Sequence, residues 1–376
     1  MQGDCHRAGA KCGPRTAAHP IAYSRPMRAV VIDEVGVLPT VREVPEPACP
    51  PGGVVLDVSA TGVCRSDWHA WMGHDPLPLP HVPGHELAGT IRQVGEGVTR
   101  WSVGDRVTTP FVCGCGACPT CAAGESQVCP QQTQPGFTGW GSWAEQVALH
   151  AADHNLVALP DGLDDVQAAA LGCRFATSYR ALVTHGGVGP GQWVAVHGAG
   201  GAGLSAVLIA RALGARVVAV DMAPAALERA RALGAEGTLD ARGLSPEQVG
   251  EAVHDLTDGG AHVSLDAFGS PAAALASVLG LRRRGRHVQV GLLLGEAART
   301  ALPMDRVVAW ELAVHGTHGL AARDYPAMLE LVTGSGGRPG IALEGLVGRE
   351  VGLEDAPAAL AELGAAPGGG ITVIRP

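Results

Sequence analysis

Lysine is almost missing from this chain: Lys11 is the only one among 376 residues. That absence removes chemistry needing a lysine amine inside a folded site, both Schiff-base formation with pyridoxal phosphate and phosphate capture by a P-loop. Basic blocks are lacking as well, and the net charge is −9, which argues against nucleic acid or an anionic membrane as partner. Long apolar runs are absent too. The nearest, Trp193 to Ala210, is uncharged but contains His197 and a glycine cluster, so it reads as a buried strand followed by a helix rather than a membrane span. The first 26 residues hold Cys5, Lys11, Cys12 and three arginines without an apolar core of signal-peptide length, and read as a disordered extension before regular alternation starts at Met27. Aromatic residues are few: seven Trp, four Phe and three Tyr.

What the chain does have is an apolar fraction of 46% and 54 glycines, ample for globular folding with many tight turns. A chain this long exceeds one comfortable core, so two domains are expected. Residues 27 to about 175 alternate in short stretches broken by Gly and Pro, among them AVVIDEV, GGVVLDVSATGV, AGTIRQVG, GDRVTT and WAEQVAL, the pattern of an irregular, mostly β domain or barrel. Ala168 to Thr184 reads as a helix running past Cys173. From Gln192 the pattern becomes strand–helix alternation (WVAVHG, GLSAVLIARALGA, RVVAVD, PAALERARALGA, then HVSLDAFG and RHVQVGLL), which implies a parallel sheet covered by helices. The alternation ends near His315. The remaining 60 or so residues, with GLVGREV and GITVIRP, are too few for another domain and are expected to complete the first.

Four of the ten cysteines, Cys115, Cys118, Cys121 and Cys129, form a C-x2-C-x2-C-x7-C array in a Gly- and Pro-rich loop. Four thiolates so close together suit a closed tetrahedral zinc site, structural because no coordination position stays open. Clustered thiols in a chain this size also fit a reducing, cytoplasmic setting better than a disulfide framework.

After the strand WVAVH comes Gly198-Ala-Gly200-Gly201-Ala-Gly203, then a helix, then RVVAVD ending at Asp221, 18 positions past the last glycine. G-x-G-x-x-G between strand and helix, followed by an acidic residue at that distance, is the dinucleotide fingerprint. Gly198 turns the chain, Gly200 admits a pyrophosphate, and Gly203 lets helix pack on strand. Asp221 would accept from ribose hydroxyls and repel a 2′-phosphate, and Met222 and Ala223 offer no cation beside it. NAD is expected rather than NADP.

Cys64 and His85, 21 positions apart, are by themselves as readily a buried thiol and a backbone-satisfied imidazole as metal ligands. In order along the chain, however, GVCRSDWH, PHVPGHELAG, the four-cysteine lobe, LGCRFATSY and GAGGAG with Asp221 resemble the zinc-dependent alcohol dehydrogenases of the medium-chain dehydrogenase/reductase superfamily, over residues 27 to 376. The resemblance implies an α/β chain with a GroES-like, β-rich catalytic domain (27–176 and 316–376) interrupted by a doubly wound Rossmann domain (177–315). It implies Cys64, His85 and Cys173 as ligands of a catalytic zinc, and two zincs per subunit. Ser66 and His69 match a proton relay, Glu86 a carboxylate near the metal, Asp67 a carboxylate holding a ligand, and Thr177 a residue beside the nicotinamide. The expected activity is exchange of hydride between an alcohol and NAD, on a small-molecule alcohol or aldehyde, in a homo-oligomer, dimer or tetramer. Trp68, Trp71, Phe111, Trp140 and Trp143 fall in segments near the implied substrate cleft, and a Cys at 173 favours the alcohol branch over polyol dehydrogenases.

Overall fold

The computed structural model describes residues 25–337, 339–343, 345–365 and 370–376. The extension expected over residues 1–26 lies outside them except for Arg25 and Pro26. Fifteen strands are described: β1 (Pro26–Val31), β2 (Thr40–Pro45), β3 (Val54–Val63), β4 (Leu87–Val94), β5 (Arg106–Thr108), β6 (Gln146–Leu149), β7 (Val157–Ala158), β8 (Trp193–His197), β9 (Arg216–Asp221), β10 (Gly237–Asp240), β11 (Ala261–Asp266), β12 (Leu281–Gln289), β13 (Ala313–Gly316), β14 (Val347–Gly352) and β15 (Ile371–Arg375).

β8 is buried at every position. A strand with no polar face has nothing to offer water and must lie in a sheet covered on both sides. It does: six parallel strands run in the order β10-β9-β8-β11-β12-β13. Counted from β8 this is 3-2-1-4-5-6, the dinucleotide-binding order, and the reversal between β8 and β11 opens a crevice at their carboxyl ends. The covering helices start where caps allow. At Pro246–Leu256, Ser245 and Gln248 satisfy each other's N–H groups in a capping box, and at Pro271–Leu279 Ser270 caps Ala273. The helix Gly201–Ala212 has no side-chain cap, so its first N–H groups stay available.

The second sheet runs β14-β15-β3-β4-β5-β7, with β6 also paired to β3. Its C-terminal contribution is β14 and β15, parallel to each other, with β15 antiparallel to β3 from Thr372–Val63 to Ile374–Thr61. A helix joins the two sheets. Capped by Asp164, whose side chain accepts from Val166 N–H, it runs through Asp165–Ala170, Leu171–Phe175, Ala176–Arg180 and Ala181–His185, and the second and fourth segments are wound as π-helix. Phe175 and Leu182 on this helix share one core cluster with Val196 and Leu204 of the parallel sheet layer and with Ile371 and Val373 of the other sheet. Each such side chain contributes roughly 1.5–3 kcal/mol when fully buried, so the two units are cemented through this helix.

Candidate active site

Three elements bring a ligand set together. Cys64 is the N-cap of the short helix Arg65–Trp71, His85 precedes β4, and Cys173 lies in the first π segment. One ligand atom each from Cys64, His85, Glu86 and Cys173 falls within 4.8 Å of the others. A π-bulge pushes one residue out of the helical ladder, and here that segment carries Cys173. Tyr325, fully buried, donates to Gly172 O at 3.0 Å and so fixes the carbonyl beside it.

Asp67 is the anchor. It is buried, and its Oδ2 accepts from Cys64 N–H at 2.9 Å while Oδ1 accepts from His85 Nδ1 at 3.1 Å and from Gly84 N–H at 3.2 Å. It therefore caps the turn and holds the imidazole with one carboxylate. With Nδ1 spent on Asp67, His85 presents Nε2, which is buried and has no hydrogen-bond partner among the described residues. An unpartnered imidazole nitrogen beside two thiols is the donor set that zinc takes. The residues fit the metal. Mutual hydrogen bonding drives Cys64 well below the ordinary thiol range and Cys173 well above it, as expected of two adjacent sulfurs sharing one proton.

Glu86 is fully buried and both its oxygens are taken by Arg174. Burial pushes its carboxyl up, against the pull of Arg174. Ser66 Oγ lies 3.8 Å from Cys64 Sγ. His69 is half-buried and its Nδ1 is 3.1 Å from Nδ1 of the exposed His74. Burial, then Arg65 and His74, hold its pKa below the ordinary imidazole range, against the weaker pull of Cys64 and Asp75. The aromatic wall differs from expectation. Phe111 sits 6.0 Å from the His85 ring and Phe137, which the sequence did not single out, 5.1 Å. Trp143 and Trp71 are core residues donating to Gly62 O and Val37 O, and Trp140 is exposed.

The four-cysteine lobe gathers Cys115, Cys118, Cys121 and Cys129 within the same 4.8 Å limit. Cys118 Sγ caps the turn Pro119–Ala122 by accepting from Cys121 N–H at 3.4 Å, and Cys129 Sγ accepts from Cys115 and Gln131 N–H groups. These amides favour thiolates, and the Cys121 amide is the main cause that brings Cys118 to about 6. Asn155 pins the lobe through both Gly114 backbone groups. The neighbouring Cys113 is a packed thiol between Thr109 and Pro110, raised to about 11 by burial. Replacing Cys118 by Ser is expected to lower the thermal midpoint and to release one of two zinc equivalents, while the catalytic rate per folded molecule changes little. A variant with full zinc content and unchanged melting would contradict the structural role.

The glycine turn closes β8. Gly198 has φ +94°, and a Cβ on Gly203 would overlap the Gly198 carbonyl, so both positions need glycine. A Cβ on Gly200 would meet nothing within 4 Å, which is the open room a pyrophosphate needs above a helix N-terminus. Asp221 Oδ2 accepts from Ala199 N–H at 2.7 Å and Oδ1 from Ala223 N–H at 2.8 Å. Thr177 is buried one turn after Cys173, and the adjacent Ser178 Oγ donates to Ala202 O at 2.8 Å.

Two family descriptions match: alcohol dehydrogenase GroES-like domain over residues 50–161, and zinc-binding dehydrogenase over residues 201–334. With the two metal-ligand clusters and the parallel six-stranded sheet, they define a zinc-binding, nicotinamide-dependent dehydrogenase. An alcohol dehydrogenase of Geobacillus stearothermophilus is 38% identical over 270 residues, which is 71% of this chain and 78% of the relative. A sorbitol dehydrogenase of Halalkalibacterium halodurans is 33% identical over 78% of this chain and 84% of its own. Among solved structures, the alcohol dehydrogenase TADH from Thermus sp. ATN1 superposes with a TM-score of 0.83 at 31% identity, over 93% of this chain and 99% of that one. The chain belongs to the zinc-containing alcohol dehydrogenase family.

Proposed function

We propose that the protein is an NAD-dependent alcohol dehydrogenase interconverting apolar primary or secondary alcohols with aldehydes or ketones, in a homo-oligomer. The observation that carries this reading is His85, anchored by Asp67 through Nδ1 and left with a free, buried Nε2 beside Cys64 and Cys173. Those three residues would hold a catalytic zinc, and Cys115, Cys118, Cys121 and Cys129 a structural one. Bound there, zinc supplies a Lewis acid that acidifies a hydroxyl, and the nicotinamide supplies the hydride acceptor.

The chain's own residues do the rest. Phe111 and Phe137 flank His85 and give the substrate an apolar wall that excludes water, which supports aliphatic, benzylic or terpenoid alcohols over sugars. Thr177 orients the nicotinamide, and Gly198, Gly200, Gly201 and Gly203 accommodate the pyrophosphate. Asp221, followed by Met222 and Ala223, supports NAD over NADP. Ser66 Oγ takes the hydroxyl proton at the floor of the site, and His69 at its edge passes a proton to water. Glu86 is a buried carboxylate beside the ligand set, held by Arg174.

His69→Gln should slow alcohol oxidation by about a hundredfold near neutral pH. The folded pKa of His69 is depressed, so the imidazole is neutral and able to accept at neutral pH and loses that ability as pH falls through its own pKa. The deficit should therefore narrow as pH falls through that pKa, where the parent's imidazole is protonated too, and again at high pH where hydroxide takes the proton; small external bases should restore rate in between. An equal deficit at every pH, insensitive to buffer base, would remove His69 from the relay.

The second reading is the same apparatus acting on a polyol or amino alcohol, supported by the relative named a sorbitol dehydrogenase, or on a carbonyl or iminium compound. The deciding experiment offers linear, benzylic, terpenoid and polyol alcohols, and threonine, to the zinc-loaded protein with NAD and NADP in parallel, following reduced nicotinamide. Turnover of apolar alcohols with NAD, abolished by a chelator, supports the proposal. Preference for sorbitol or threonine transfers it to the second reading, and silence across the panel overturns the proposal and leaves the carbonyl or iminium compound.

A further inference from the structure

Arg174 stands between the two halves of the site. Its Nε donates to Glu86 Oε1 at 3.0 Å, its Nη2 to Oε2, and its backbone N–H to Oε1 at 3.2 Å. Glu86 is fully buried, and a carboxylate in that position needs a counter-charge with good geometry. The same side chain also lies against the first turn of the helix Gly201–Ala212. A Cβ on Gly201 would come within 2.7 Å of Arg174 Cδ and 3.1 Å of its Nη1. Gly201 is therefore free of a side chain because Arg174 crosses it. Nη1, the nitrogen on that side, hydrogen-bonds to no described residue. Next to it, over Gly200, is the open room described above.

We propose that Arg174 is a cofactor-binding residue whose Nη1 donates to the dinucleotide pyrophosphate above Gly200 and Gly201, with Glu86 orienting the guanidinium and tempering its charge. The inference rests on the reading of the chain as a nicotinamide-dinucleotide enzyme. A guanidinium presents donors on two edges of one plane. Clamping one edge to Glu86 aims the other, so little freedom is lost when the phosphate arrives. The helix N-terminus adds partial positive charge, and Arg174 adds a full one at the same place. Because Glu86 compensates part of that charge, the phosphate feels a weaker field than a bare arginine would give.

The test measures binding of ADP-ribose and of adenosine to the zinc-loaded protein by calorimetry, with zinc content and thermal midpoint recorded for each variant. Arg174→Met should weaken ADP-ribose by about tenfold or more and leave adenosine, which has no phosphate, unchanged. Glu86→Gln, which removes the compensating charge but also one of the two acceptors that clamp the guanidinium, should change ADP-ribose affinity and leave adenosine unchanged. A pair with a purely structural role would weaken both ligands in both variants. Since Arg174→Met leaves Glu86 buried without a counter-charge, the double variant Glu86→Gln/Arg174→Met supplies a neutral pair for the same comparison. Preference for ADP-ribose over adenosine as strong as in the parent, in either Arg174→Met background, overturns the proposal. If the parent itself binds ADP-ribose no better than adenosine, it is the dinucleotide reading that fails.

Discussion

Replacing His85 with alanine is expected to abolish turnover while NADH binding largely survives. Loss of a residue that merely supports a metal ligand costs about 10- to 100-fold in metal affinity or activity, so loss of the ligand itself should exceed the upper end of that range. The variant also strips Asp67 Oδ1 of one of its two donors and leaves a void under Phe111 and Phe137, so some stability should go with it. Cys64→Ser separates the two effects, because it keeps the volume and the Asp67 contact to the backbone N–H but removes the thiolate. Both variants should lose one zinc equivalent and retain the other. Near-parent turnover in either, at reduced zinc content, would take the metal role away from this cluster.

Asp221→Ser should shift cofactor choice toward NADP by about tenfold or more. The carboxylate would accept from ribose hydroxyls, and hydrogen bonds to a charged group contribute roughly 1.5–3 kcal/mol. The same charge repels a 2′-phosphate. The structure adds a second expected effect. Asp221 also accepts from Ala199 and Ala223 N–H groups, so the serine variant should loosen the glycine turn and weaken both cofactors while their ratio changes. Measuring the two dissociation constants separately distinguishes these contributions. An unchanged ratio with both affinities reduced equally would leave Asp221 as a brace for the turn and nothing more.

The parallel sheet was the most legible part of the fold, because runs such as WVAVH and RVVAVD are apolar at consecutive positions and only a doubly covered strand tolerates that. β10 and β13 were missed: their sequences, GTLD and AVHG, are short and half-exposed, lying at sheet edges where the apolar signal fades. The helix past Cys173 was expected over Ala168–Thr184 and extends from Asp165 to His185, but nothing in its composition announces that two of its turns are π-wound. The ligand set was legible only through the order of its motifs, since the spacing of Cys64 and His85 is set by tertiary structure. Arg174, Phe137 and Tyr325 escaped notice for a related reason. Each acts across more than 50 positions of chain, through Glu86, His85 and Gly172 respectively. Asp67, expected to hold a ligand, contacts His85 and also caps the turn at Cys64, because its two oxygens face different partners.

The helix from Asp165 to His185 has a mechanical consequence. It carries Cys173 in one turn and Thr177 in the next, and Ser178 ties it to the glycine turn at Ala202. The proposed metal ligand and the proposed neighbour of the cofactor are thus mounted on a single rod. Rocking of one sheet against the other cannot change the spacing of Cys173 and Thr177 without bending that rod. The bend would concentrate where the hydrogen-bond ladder is already irregular, at Leu171–Phe175 and Ala181–His185. Any adjustment of the cleft that keeps Cys173 and Thr177 in register must therefore come from elements other than this rod.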